Sequence, residues 1–485
     1  MSQLRQIIEG FLQSSRQPVL CEPGEETLAL SEENFALETH GGALSLQAWD
    51  DRRNVVRRVV GIEQQTRAKL VLKIERFAKR PGTLTLADLG RPSGQDVALH
   101  SRRLEFRERF RLFLRRQLPD FHITALTTEP DLEHSLSPAY PRALVRRGST
   151  AWAAIGASTD LFHSEGVLTF GLIWLDYLRR REPSVAIRGL ILYLPQGLER
   201  TTCLRLLFLD PAAAEYRAFV YSDDAGESPV DLADYGNLDT HLESPPGSSQ
   251  SPHIHALLDS IASNPDVEIV PRPDGEQSLR VHGLEFARTS GSDLLIGVDR
   301  KRVARAGNTS ELERLAGGLC RMRSHHAADR QNPLYLRNPE AWLESQVRNG
   351  IERVDAQLVS APVYGQVPAF AASDRGVMDL LAVEHSGRLA VLELKASQDL
   401  HLPLQALDYW MRVKWHLDRG DFARKGYFPG IELRNQAPRL LLISPALDFH
   451  PSNETVLRFL SPLITIEKVG VGIEWRKELK VMYRS

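Results

Sequence analysis

The chain has 485 residues, 42% of them hydrophobic and 25% charged, with a formal net charge of −2. That length supports roughly two to four domains, and that charge excludes a protein held to nucleic acid by its bulk field alone. Three cysteines, Cys21, Cys203 and Cys320, stand far apart with no CxxC spacing, which excludes a disulfide framework or zinc ribbon and fits a reducing cytoplasm.

The N-terminal "MSQLRQIIEGFLQSS" reads as a short amphipathic helix without the long apolar run of a signal peptide. Residues 26 to about 90 are β-rich, with "GALSLQAWD", "VVRRVVGI", "KLVLKIERF" and "GTLTLADL" separated by turn residues. The run "SRRLEFRERFRLFLRRQL" (101–118) reads as an Arg-laden amphipathic helix with Leu104, Phe106, Phe110, Leu112 and Leu114 on its apolar side. Its Arg102, Arg103, Arg109, Arg115 and Arg116 form either a solvated face or a phosphate-contacting one. Together, 1–125 are expected to be a β-rich N-terminal domain.

An α/β domain is expected over 126–225. "TAWAAIGAS" reads as a strand, "GVLTFGLIWLDYLRRR" as a helix and "AIRGLILYLP" as a buried strand, with "CLRLLFLD" and "YRAFVYS" as a further pair of strands. The longest apolar-leaning window, "GVLTFGLIWLDYL", is too short to span a bilayer and contains Asp176, so a soluble, cytoplasmic chain with no membrane partner is expected. Residues 226–330 combine an acidic, Pro/Ser-rich linker ending "LESPPGSSQSP" with a small α/β region. That region holds "HIHALLDSIA", "SLRVHGLEFA", "DLLIGVD" and a helix around "SELERLAGGLCRMR".

Residues 331–485 form the last expected domain. Asn338 is a candidate N-cap, with Pro339 at the first helical position. A helix over Glu340–Leu358, a hairpin over Val377–Ala396, a helix over Leu402–Leu417 and a strand at 439–447 should assemble as a mixed sheet flanked by helices. The fold class is therefore α/β, mixed α+β overall.

The hairpin "MDLLAVEHSGRLAVLELKAS" carries Asp379, Glu393 and Lys395 where its apolar pattern is strongest. Unpaired buried charges cost several kcal/mol, so these need partners, a metal or a solvated cleft. His385–Gly387 suits a three-residue loop, with the third residue in the left-handed region that favours Gly. Centring on Ser386 sets Glu384 against Arg388, Leu381 against Val391 and Asp379 against Glu393. Directly opposed residues have Cβ atoms about 4.5–5.5 Å apart, close enough for two carboxylates to share one divalent cation. Alternation puts Glu393 and Lys395 on one face. Only ten of the sixty Lys+Arg residues are lysines, yet position 395 is one of them. Lys is a compact point charge whose pKa can move, unlike the Arg fork. On the following helix, Leu404, Leu407, Met411 and Trp415 make an apolar stripe, and Gln405, Tyr409, Arg412 and His416 a polar one.

An acidic helix, an Asp, an E-x-K strand and a Q-x-x-x-Y helix in this order resemble the PD-(D/E)xK nuclease superfamily, specifically the branch containing the nuclease domain of the bacterial RecB helicase-nuclease. The resemblance covers about residues 335–450. It implies a restriction-endonuclease-like αβα core in the C-terminal domain, behind the β-rich region and the second α/β unit. It further implies Asp379, Glu393 and Lys395 as catalytic residues, and Asp379, Glu393, the Leu394 carbonyl and Glu344 as metal ligands. Gln405, Tyr409 and Arg412 would position substrate. Glu340, one turn from Glu344, is an alternative to it, and Met378 stands where the family motif has Pro. The implied cofactor is Mg²⁺, with Mn²⁺ as a substitute, and the implied activity is hydrolysis of DNA phosphodiester bonds in repair, recombination or defence against foreign DNA. The alternative is an inactive nuclease-like fold that binds nucleic acid or scaffolds a complex. No GxxxxGK[ST] loop occurs, so DNA unwinding would come from a helicase or other repair or defence protein supplied in trans. No GxSxG nucleophile elbow occurs either.

Two other metal-capable groups, His325–His326 and the loop with Asp160, His163 and Glu165, lack a fixed site spacing and read as solvated surface. Finally, "AIGASTDL" (154–161) lies beside "ELKASQDL" (393–400), and "LDYLR" (175–179) beside "LDYWMR" (407–412). This makes 140–200 a candidate degenerate nuclease-like repeat, with Ala154 and Gly156 in the places of Glu393 and Lys395.

Overall fold

The computed structural model describes residues 2–22, 27–31, 34–40, 43–49, 54–75, 81–131, 133–159, 166–222, 226–236, 238, 240–245, 261, 264–272, 275–291, 293–303, 309–367 and 378–485. Helices and four sheets are arranged in two compact units, Met1–Cys203 with Ala214–Ala233, and Leu204–Ala213 with Asp234–Ser485. Among the described residues no helix is long and apolar enough to cross a membrane.

In the first unit, helix α1 (Ser2–Ser14) lays Ile8, Phe11 and Leu12 on a seven-stranded sheet. Its strands are β1 (Pro18–Cys21), β2 (Leu28–Ala29), β3 (Phe35–His40), β4 (Ala43–Trp49), β5 (Asn54–Gln65), β6 (Lys69–Glu75) and β7 (Pro81–Asp88), in the order β2-β1-β7-β6-β5-β4-β3. Helix α2 (Pro92–Gln117) follows and is longer than the sequence suggested, with Pro92 at its first position. Its core side is Phe106, Phe110, Phe113 and Leu114, whereas Leu112 is exposed, because the 3.6-residue period favours 113 over 112 once Phe106 and Phe110 are inside. Of the five arginines singled out as a solvated or phosphate-contacting face, Arg109 lies 4.6 Å over the Tyr221 ring and Arg116 pairs with Glu227.

The unit's second sheet runs β8 (His122–Thr127), β9 (Arg142–Arg147), β10 (Thr150–Gly156), β11 (Ala186–Pro195), β12 (Glu215–Ser222) and β13 (Gly226–Pro229), reading from one edge to the other. Helix α3 (Val167–Arg181) connects β10 to the parallel β11. The stretch "CLRLLFLD" is not a strand. It supplies helix α4 (Arg200–Leu206) and the turn after it, because β11 and β12 are parallel neighbours and need a crossover between them.

The second unit opens with an antiparallel sheet of β14 (Val267–Pro271), β15 (Gln277–Val281), β16 (Leu284–Ser290), β17 (Asp293–Ile296) and β18 (Arg302–Val303), covered by α5 (Thr309–Met322). All of "HIHALLDSIA" except Ile261 lies outside the described residues. Helices α6 (Pro333–Leu336), α7 (Pro339–Asn349) and α8 (Ile351–Val354) lead to a six-stranded sheet. Its strands β19 (Tyr364–Val367), β20 (Met378–Val383), β21 (Leu389–Leu394), β22 (Arg439–Pro445), β23 (Thr465–Val471) and β24 (Val481–Arg484) lie in chain order. Helices α9 (Leu402–Asp418), α10 (Asp421–Lys425) and α11 (Pro451–Leu457) complete the unit.

The helix expected over Glu340–Leu358 breaks at Gly350 into α7 and α8. Asn338 is not a side-chain cap. It sits at φ 43°, a left-handed conformation that Asn tolerates, and its carbonyl accepts from the Arg323 guanidinium. Helix α7 packs Trp342, Leu343 and Val347 on Leu380, Leu392, Leu394, Leu441 and Ile443. Helix α9 rests on β21 and β22 from the opposite face. Trp410, not Trp415, is its buried tryptophan. The Trp410 indole N–H donates to the Pro438 carbonyl at 2.8 Å, while Trp415 is half-buried under the Arg419 guanidinium.

Both six-stranded sheets have one strand order and one pattern of senses: antiparallel, antiparallel, parallel, parallel, antiparallel. The residue pairing suggested by sequence is nevertheless out of phase. Ala154 packs with the α2 aromatics, and a Cβ on Gly156 would meet Phe110 at 3.0 Å. Glu393 alternates with Leu392 and Leu394 and so faces away from α7, toward the α9 side. The residue of β10 that faces its own crossover helix is Ile155, which lies beside Gly171 of α3.

Candidate active site

The β20–β21 hairpin is built by its turn. The Glu384 N–H donates to the Arg388 carbonyl at 2.8 Å, and the Gly387 N–H to the Glu384 carbonyl at 2.9 Å. Gly387 adopts φ 86°, and a Cβ there would stand 2.1 Å from the Glu432 carbonyl, so both backbone conformation and space require glycine. Leu380 pairs with Leu392 and Leu381 with Val391. One further step in that register brings the β20 backbone at Asp379 across from Glu393. The Asp379 side chain lies outside the described residues.

Glu393 is 3% exposed. Its Oε1 stands 3.9 Å from Lys395 Nζ, which also lies 3.5 Å from Asp399 Oδ2 and 4.0 Å from Glu340 Oε2. The Lys395 N–H donates to the Ile443 carbonyl at 3.0 Å, holding the chain against β22 just beyond β21. Asp399 is fixed from two sides. Its Oδ1 accepts from the His401 N–H at 2.7 Å, and its carbonyl accepts from the Asn453 side chain at 2.9 Å. Three carboxylates thus share one ammonium, a formal charge of −2 before Asp379 is counted, and Glu393 has little water to screen it. Excess negative charge at a buried strand end is stabilised by a bound cation. Among the described residues no three acidic, His or Cys side chains converge closely enough to hold an ion by themselves.

The acids of α7 divide their roles. Glu340 reaches Lys395, whereas Glu344 is buried and paired with Arg348 one turn further on. The polar stripe of α9 also divides. Gln405 and Tyr409 are half-buried, and Gln405 Oε1 has no hydrogen-bond partner among the described residues. Arg412 and His416 are buried instead. Arg412 Nη1 donates to the Asp408 carbonyl at 2.9 Å, and the Asp408 carboxylate holds Arg205 at 2.6 Å. His416 Nδ1 lies 2.6 Å from Asp421 and its Nε2 3.1 Å from Thr240 Oγ1, and burial lowers its pKa against the pull of Asp421. Leu394, whose carbonyl is the remaining expected ligand, ends β21 with its side chain in the α7 core.

Glu384 does not form the expected ion pair with Arg388. Its carboxylate binds Arg439 at 2.8 Å, alongside Asp355 at 2.7 Å and Glu467 at 2.6 Å. Arg388 instead donates to the Ala437 carbonyl and Thr465 Oγ1. Arg439 is buried at the start of β22 and can stay charged there only with carboxylates around it, so it captures Glu384. This cluster lies at the opposite end of β21 from Glu393.

Two residues near the site escaped the sequence reading. Asp399 could have been flagged by its i+4 spacing from Lys395. Ser444 is fully buried on the Glu393 face of β22, with its Oγ lacking a partner among the described residues, and no sequence signal marks it. The rings of His325 and His326 have centroids 3.7 Å apart, tilted by 43°, and join no acidic group as a metal cluster among the described residues. Asp160, His163 and Glu165 lie outside the described residues. The chain matches no protein-family model, and no curated protein matches it.

Proposed function

We propose that the second unit is a Mg²⁺-dependent deoxyribonuclease of the PD-(D/E)xK type, with the αβα core of restriction endonucleases. The observation that carries this reading is the hairpin register, which sets the Asp379 backbone opposite Glu393, with Lys395 beside Glu393. The net negative charge around Lys395 supports a divalent cation, and all-oxygen donors suit Mg²⁺ or Mn²⁺. Asp379, Glu393 and the Leu394 carbonyl would hold the ion, with Glu340 the better-placed acid of α7 than Glu344. A bound ion supplies a water of lowered pKa and stabilises charge on the phosphate oxygens. Lys395 orients the attacking water and offsets developing charge, while Gln405 and Tyr409 steady the DNA strand. Arg412, being buried, supports α9 beneath them. The topologically matched sheet of the first unit is, on this reading, its degenerate counterpart. DNA opening would fall to a helicase or another repair or defence protein in trans.

Labelled single- and double-stranded DNA incubated with the full chain provides the test. Cleavage should require Mg²⁺, stop in EDTA and be lost in Asp379→Ala. Cleavage that survives EDTA and that variant would overturn the assignment, and DNA that is bound but never cut would favour a binding or scaffolding role.

A further inference from the structure

A cavity of about 520 Å³ opens in the second unit between two sheet edges. Strand β14 ends one sheet, β19 ends the other, and both line it. Its volume falls within the ~300–1,000 Å³ typical of ligand sites. We propose that this cavity receives a single unstacked nucleobase of the DNA strand being cut. The proposal rests on the nuclease reading and specifies how that site would select its substrate.

Continuity with the candidate site is the first argument. Val367 lines the cavity and pairs with Met378, the residue before Asp379, one strand spacing of about 4.8 Å away. Helix α7 makes a second connection. Glu340 meets Lys395, Glu344 follows one turn on, and Arg348 reaches the cavity one turn later. Eight residues of helix span about 12 Å, or three to four base steps of about 3.4 Å along a stacked strand.

Wall chemistry is the second argument. A base has two apolar faces and a polar rim, and pockets for extruded bases pair flat apolar walls with a few hydrogen-bonding groups. Here the walls include Tyr364 and Tyr427, held edge-to-face at 4.7 Å. The Tyr364 hydroxyl accepts from the Phe428 N–H at 3.2 Å, which fixes that ring in place. The polar rim is Glu268, Arg348 and Asn349. Glu268 accepts from the Ser345 hydroxyl, and burial pushes its carboxyl up, which favours a group able both to donate and to accept. Arg348 is held against β19 by Gly365, where a Cβ would stand 2.4 Å from Arg348 Nη2 and 3.0 Å from Glu344 Oε1.

Duplex oligonucleotides carrying 2-aminopurine either as one extrahelical base or fully paired would test this with the full chain. Binding is read by fluorescence in EDTA, and cleavage separately in Mg²⁺. Asn349 is exposed at the rim, so Asn349→Trp should plug the cavity without disturbing the fold, as its melting curve would verify. The extrahelical probe should change fluorescence on binding, bind roughly tenfold or more weakly to Asn349→Trp, and be cut within about four nucleotides of the unstacked base. Glu268→Gln should alter which base is preferred more than overall affinity. Identical binding and cutting by Asn349→Trp, with no preference for the extrahelical probe, would overturn the cavity assignment and leave Mg²⁺-dependent cleavage standing. A wild-type chain that never cuts, yet gives a probe signal in EDTA that Asn349→Trp loses, would overturn the nuclease reading and keep the cavity.

Discussion

The first unit's β8–β13 and the second unit's β19–β24 reach the same strand order and senses, and differ in what stands where the second strand meets the third. In the first sheet the pair on the crossover-helix face is Arg142 and Ile155. The Arg142 guanidinium donates to the carbonyls of Ser137 and Glu129 at 2.6 Å each and lies 5.6 Å from the Trp174 ring. Burial pulls its pKa down to about 10, still protonated at neutral pH. In the second sheet the corresponding backbone positions are Asp379 and Glu393. One sheet thus closes with a built-in cation whose two terminal nitrogens are bonded to carbonyls. The other gathers the carboxylates of Glu393, Asp399 and Glu340 around the single ammonium of Lys395. The topology tolerates both endings because the crossover and the cores on either face are independent of that one pair.

The sharpest way to break this comparison is to remove the acids. Glu393→Gln should keep the fold and lower Mg²⁺-dependent cleavage by about 10³-fold or more, consistent with loss of a metal-centred electrostatic contribution of about 4 kcal/mol. Ile155→Val, the matching position of the first sheet, should leave cleavage unchanged. Equal losses in both variants would mean that both sheets serve catalysis, and the contrast would fail.

Next in size is the buried cluster at the far end of β21. Arg439→Met strands the buried Glu384 without its cation, leaves Asp355 only Arg484 at 3.4 Å, and should destabilise the second unit by about 3–5 kcal/mol in chemical denaturation. The pH dependence has a defined sign. Burial would raise the Asp355 carboxyl, but hydrogen bonds from the Gln357 N–H and Arg439 outweigh it and hold it below its ordinary 3.8. Its contribution is therefore fully present above about pH 4 and lost as pH falls through the lower folded value. Asp355→Asn should flatten that acid limb. An unchanged acid limb would show that Asp355 is not what couples this sheet to pH.

In the first sheet, Arg142→Met should cost about 3 kcal/mol by removing two part-buried, charge-assisted hydrogen bonds to carbonyls. Its effect on cleavage per folded molecule should be nil. A loss of activity without a loss of stability would tie Arg142 to substrate instead.

What sequence could deliver was local. The hairpin register followed from Gly387 and alternation, because a one-residue slip would turn Leu380 and Leu392 out of the core. Strands β4, β5, β6 and β7 and helices α3 and α9 followed from periodicity, whereas the short β1, β2 and β3 did not stand out. Long-range choices were not legible. Glu384 was assigned to its cross-strand neighbour Arg388, yet a buried arginine fifty-five residues away, Arg439, outbid it. "CLRLLFLD" is apolar enough for a strand, and only the parallel pairing of β11 with β12 makes it a crossover. The likeness of "AIGAS" to "ELKAS" aligned letters but not faces, since nothing in sequence says which side of β10 carries α2.

The smallest effect probes the comparison most directly. If Glu393 is held in place for a cation, it is a burden on the fold when that cation is missing. Glu393→Leu replaces a 3% exposed carboxylate by an apolar group of similar size. Lys395 keeps Asp399 and Glu340, so no buried charge is orphaned by the change. Replacing buried ionic groups by apolar ones is often stabilising, and here a gain of about 1 kcal/mol is expected in EDTA. Mg²⁺ should narrow or reverse that gain, because only the native wild-type site binds the ion and is stabilised by it through mass action. A Glu393→Leu chain less stable than wild type in EDTA would show that Glu393 is bonded for structure as Arg142 is. The two sheets would then differ in sign of charge but not in purpose.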